Sequence, residues 1–117
     1  MNVSALDSSV VKFIEKLDKS SHAKVSRCFD LLEELGNQIG LPHSQKVSKD
    51  FYELHTSGQV AVRLLYVARG DEAIIIHGFI KKTQKMPQHE LGIAMSKLKL
   101  LRHIELISKP PISSNAV

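Results

Sequence analysis

The chain has 117 residues, 43% of them hydrophobic and 24% charged, which supplies one core for one domain of ordinary globular composition. No apolar run approaches the ~20 residues of a membrane helix, and the opening MNVSALDSS lacks the basic-then-apolar order of a leader. The single cysteine, Cys28, excludes an internal disulfide, so a cytoplasmic protein of a reducing compartment is expected. The net charge of +4 is uneven: residues 1–42 carry 5 basic and 6 acidic side chains, residues 43–85 carry 7 and 4, and residues 86–117 carry 4 and 2. A basic excess in the middle and C-terminal parts suits a polyanion such as RNA or DNA, and suits an acidic protein partner equally.

In chain order, Leu6, Val10, Phe13, Ile14 and Leu17 recur at helical spacing and predict a helix over residues 5–18, capped by Ser4 or Asp7. Ser20 or Ser21 caps a second helix, whose stripe is Val25, Cys28, Leu32, Leu35 and Ile39. Gly36 or Gly40 ends it and Pro42 forbids continuation, giving an αα-hairpin. Cys28 falls on the stripe and reads as a small core residue.

From Phe51 the pattern turns to strands. FYELH, VAVRLLYVA and EAIIIHGFI are linked by TSGQ and RGDE, polar tetrapeptides with a glycine, and predict a three-stranded antiparallel meander. In the middle strand Ala61, Arg63, Leu65 and Val67 share one face, and Val62, Leu64 and Tyr66 the other. Both faces are largely apolar, so both are expected to be covered. Arg63 is then a charge pointing toward a buried-looking face. The third strand surfaces into Lys81, Lys82 and Lys85. Neighbouring strand residues alternate in face, so Lys81 groups with His77 and Phe79, and Lys82 with Gly78 and Ile80. Which group faces Arg63 stays open at this level. Pro87 opens a third helix, with Leu91, Ala94, Met95, Leu98 and Leu101 as its stripe. The expected class is α+β, a single domain over residues 1–109, followed by a mobile tail over 110–117 that is rich in proline and small polar residues. The six histidines have no metal-like spacing, and no metal or cofactor is expected.

Four segments carry a resemblance to the RelE/ParE toxin superfamily, in its HigB or phage-derived-protein-like branch. These are LLEELG (31–36), FYEL (51–54), VRLLY (62–66) and HGFIKKTQKMP (77–87), followed by GIAMSKLK. The similarity spans residues 5 to 102 and is most specific in HGFIKKTQKMP. It implies a RelE-like fold and the toxin of a type II toxin–antitoxin pair: an mRNA endoribonuclease that acts at the ribosome and inhibits translation. The implied partners are a cognate antitoxin with a helix-turn-helix domain, mRNA and the ribosome, with operator DNA reached only through the antitoxin, and no membrane. Three positions depart from the family pattern. His55 stands at a frequent arginine or lysine, Val62 at a frequent tyrosine before the arginine, and Met86 at a frequent threonine cap.

Metal-free cleavage of RNA needs a base for the 2′-OH, cations for the phosphorane-like charge and an acid for the leaving 5′-oxygen. The resemblance places the family arginine at Arg63, whose planar fork can hold two phosphate oxygens; a buried pair with Glu53 is the other reading. Lys82 and His55 complete the expected catalytic set, His55 because imidazole exchanges a proton near neutrality. Lys81, Lys85 and Tyr66 are the expected RNA contacts, with core packing the competing role for Tyr66. Two rival functions accompany this reading: a catalytically silent RelE-fold module that binds RNA or antitoxin, and a ParE-like inhibitor of DNA gyrase.

Overall fold

A computed structural model describes residues 1–40, 43–56 and 58–108. The stop assigned to Pro42 and the tail over 110–117 lie outside the described residues. Three helices cover the two faces of one five-stranded mixed sheet, whose order is β1-β5-β4-β3-β2. The strands are β1 (Asn2–Ala5), β2 (Ser44–Lys46), β3 (Tyr52–His55), β4 (Val62–Arg69) and β5 (Glu72–Ile80). The helices are α1 (Ser8–Glu15), α2 (Lys19–Leu35) and α3 (Gln88–Ser108). The α+β class and the β3–β4–β5 meander are present, but the meander is the centre of a larger sheet. β1 adds to β5 in parallel, with Asn2 beside Glu72 and Ala5 beside Ile75. β2 adds antiparallel to β3, with Ser44 opposite Leu54.

The first helix is shorter than residues 5–18 at both ends, because Ala5 belongs to β1, Asp7 is the cap before Ser8, and Lys16 closes the helix after Glu15. Asp7 accepts a hydrogen bond from the Val10 amide at 3.1 Å. Asp18, rather than Ser20 or Ser21, caps α2, accepting from the Ser21 amide at 3.2 Å. α2 stops at Gly36, which takes φ 57°, a left-handed conformation that favours glycine. In the β4–β5 hairpin Arg69 pairs with Glu72, so Gly70 and Asp71 form a two-residue turn, and Gly70 takes φ 58°.

Both faces of the middle strand are covered, each by its own core. Val62, Leu64 and Tyr66 pack with Val10 of α1 and with Val25, Cys28 and Leu32 of α2. Leu65 and Val67 pack with Phe51, Ile76 and Phe79 and with Ala94 and Leu98 of α3. Burying each of these large side chains contributes roughly 1.5–3 kcal/mol of transfer free energy. The pairing of β4 with β5 shifts at Leu65/Tyr66. Leu65 faces His77 and Tyr66 faces Ile75, so Ile76 is the extra residue of a bulge. This shift decides the faces in the last third of β5. Phe79 lies opposite Arg63 and Gly78 opposite Leu64. Among the described residues, no helix is long and apolar enough to cross a membrane.

Candidate functional site

The ends of β4 and β5 meet the start of the 81–87 segment in a cavity of about 430 Å³, lined by Ala61, Arg63, Lys81, Lys82, Thr83 and Gln84. Register settles which lysine joins Arg63. Phe79 is opposite Arg63, and the Lys81 amide donates to the Ala61 carbonyl at 2.8 Å, which carries the strand alternation one residue past β5. Lys81 therefore lies on the Arg63 face. Lys82 falls on the other alternation and is exposed, yet it lines the same cavity from its rim. Lys85 is exposed in the following loop, where its carbonyl accepts from the Thr83 hydroxyl at 3.1 Å.

Arg63 is held from several sides. Its Nη1 donates to the carbonyls of Thr56 and Val62, each at 3.1 Å. Its Nε lies 3.4 Å from Glu53 Oε1, with side-chain exposures of 16% for Arg63 and 1% for Glu53. The buried pair with Glu53 thus exists. It does not remove Arg63 from the cavity wall.

His55 lies directly opposite Arg63 in the β3–β4 register, on the same face as Glu53 two residues earlier. It is outside the cavity lining, and its Nε2 is buried without a hydrogen-bond partner among the described residues. Burial lowers the His55 pKa first, then the Arg63 charge; Glu53 opposes them, and Lys81 and His43 add smaller downward pushes. The imidazole is accordingly held neutral more firmly than a free histidine. Among the described residues the buried side-chain atoms without a hydrogen bond are Glu53 Oε2, His55 Nε2 and Arg63 Nε, and all three belong to this one group.

Tyr66 is a correction. It points to the α1/α2 face, is fully buried, stacks on Tyr52 with ring centroids 5.4 Å apart, and shares a 3.0 Å hydrogen bond with the Ser44 hydroxyl. It cannot meet RNA without opening the core. Strand alternation separates it from Arg63 three residues earlier, as the sequence already implied. His77, a core histidine by its apolar surroundings, has a partner: its Nε2 is 2.9 Å from Glu90 Oε1 of α3. Glu53 is the residue that sequence reasoning left in a supporting part. Its signal was a carboxylate in a short strand between Phe51, Tyr52 and Leu54.

Among the described residues, no group of three histidine, cysteine, aspartate or glutamate side chains is placed to hold a metal ion. No curated protein matches the chain. The family model of the phage-derived Gp49-like proteins (DUF891) matches residues 12–99, which take in α2, β2 to β5, the cavity and the first half of α3. The chain therefore belongs to the Gp49-like family, a branch of the RelE/HigB-like toxin group.

Proposed function

We propose that the protein is the toxin of a type II toxin–antitoxin pair and an mRNA endoribonuclease that blocks translation at the ribosome, without a metal ion. The observation that carries this reading is the cavity in which Arg63 and two lysines converge at a strand end, beside a histidine held neutral. Arg63 and Lys81 hold the scissile phosphate and the charge that grows on it. His55 takes the proton of the 2′-OH as that oxygen attacks phosphorus, and Lys82 gives a proton to the departing 5′-oxygen. The products are a 2′,3′-cyclic phosphate and a 5′-hydroxyl. Because His55 Nε2 is closed in the free protein, the imidazole must turn toward the cavity when RNA binds.

The closed His55 also favours a second reading, a module that grips RNA without cutting it. Both lysines project from the end of the sheet, so Lys81→Ala/Lys82→Ala should leave the fold intact. The first reading expects wild-type expression to arrest growth with cleaved mRNA, and the double variant to do neither. Intact mRNA with retained RNA binding would select the second. Intact mRNA with inhibited supercoiling would select action on gyrase and refute both.

A further inference from the structure

We infer that Glu53 is the positioning residue of the site: its buried carboxylate fixes the Arg63 guanidinium from behind and holds a negative charge beside His55. The inference deepens the nuclease reading and rests on it for its catalytic consequence, though not for its structural content.

Glu53 stands in β3 opposite Leu65, with 1% of its side chain exposed, in register with the apolar face that carries Phe51, Leu65 and Val67. A carboxylate there carries a large desolvation penalty unless a cation answers it. Arg63 does so, but incompletely. The Nε–Oε1 separation is 3.4 Å, neither Nε nor Oε2 has a hydrogen bond, and His55 Nε2 beside them has none either. Leaving a buried polar group unsatisfied is destabilising, and apolar residues of similar volume commonly replace a buried pair at no loss. Stability alone therefore gives no account of Glu53.

Geometry gives one. Nη1 is tied to the Thr56 and Val62 carbonyls, and Nε faces Glu53. The guanidinium is gripped along these two sides, and Nη2 has no partner among the described residues, on a side chain that lines the cavity. A planar fork fixed in this way loses little freedom on meeting a phosphate. The carboxylate also faces the imidazole from two residues away on one strand face. The other groups that act on His55 are Arg63 on β4, Lys81 after β5 and His43 before β2, while α2 contributes Cys28, whose Sγ approaches the His55 carbonyl at 3.9 Å. Among these, Glu53 alone favours the protonated ring.

The test is NMR of the full chain, titrating the His55 imidazole and following the Arg63 Nε–Hε group in wild type and Glu53→Gln. The expected result is a slow, ordered Arg63 Nε–Hε signal in wild type. In Glu53→Gln that signal broadens and the His55 midpoint moves to lower pH. A purely packing role would move neither, since glutamine keeps the shape. Unmoved His55 and Arg63 signals in folded Glu53→Gln would overturn the inference. If Glu53→Gln does not fold, the wild-type signal decides alone: a mobile Arg63 guanidinium overturns it, and a rigid one supports it. In the cleavage assay the acid limb of kcat/KM should move to lower pH in Glu53→Gln. A wild type that leaves RNA intact refutes the nuclease reading and leaves the NMR outcome to judge Glu53.

Discussion

Arg63→Ala removes the cation 3.4 Å from Glu53 and strands a carboxylate whose side chain is 1% exposed. Breaking one side of a buried pair costs about 3–5 kcal/mol, whereas replacing both sides by apolar groups is often neutral. Arg63 keeps 16% exposure, which lets some water reach the pair and favours the lower end, about 3 kcal/mol. Unfolding entropy is about 2.1 cal/mol/K per residue, so 117 residues turn 3 kcal/mol into a Tm loss of about 12 °C. Urea and thermal unfolding by circular dichroism at neutral pH would compare wild type, Arg63→Ala, Arg63→Met, Glu53→Leu and Arg63→Met/Glu53→Leu. The single Arg63→Ala should be the least stable, and the double variant should recover most of the loss. An Arg63→Ala midpoint equal to wild type, or a double variant as unstable as the sum of its singles, would refute the claim that Glu53 depends on Arg63. The same result governs any activity experiment, because loss of toxicity in Arg63→Ala is ambiguous unless the variant is shown to be folded.

Other outcomes follow from the same geometry. His55 is held below the ordinary imidazole range, chiefly by burial and then by Arg63. The unfolded chain therefore binds more protons below about pH 6.5, so stability is full above that value and falls as pH drops. His55→Gln should flatten this fall, and an unchanged pH profile of unfolding would count against a buried neutral ring. Gly78→Ala would place a Cβ 2.5 Å from Phe13 Cδ2 and 2.8 Å from Leu64 Cδ2. Overpacking of this kind costs about 1–3 kcal/mol, to be read from the denaturation midpoint; full stability would mean that Phe13 yields without penalty. In salt titrations of RNA binding, Lys81→Ala and Lys82→Ala should each reduce the log–log slope by about 1. Lys81→Ala should weaken binding more, since it alone shares the Arg63 face; equal losses would refute the division between the two lysines.

The sequence by itself determined the elements whose patterns are local. The apolar stripe of α3 survives in full and the middles of the α1 and α2 stripes do too, because a 3.6 period needs no partner to be legible, whereas Leu6, Leu17 and Ile39 fall outside the helices and Leu35 is exposed. The RGDE turn, the strand segments β3 to β5 and the two covered faces of β4 were readable from alternation and from Gly70. The five-stranded sheet was not. NVSA and SQK are too short to show a period, and they become strands only because β5 and β3 offer them free edges. The site divides along the same line. The sequence named Arg63, the lysines and His55, since charges in apolar strands are visible in one dimension. The choice of Lys81 over Lys82 for the Arg63 face, the burial of Tyr66 and the closure of His55 against Glu53 were decided by register between strands. Register is a long-range property: it depends on which residue of a distant strand lies opposite, and the bulge at Leu65/Tyr66 shifts that pairing by one residue through β5.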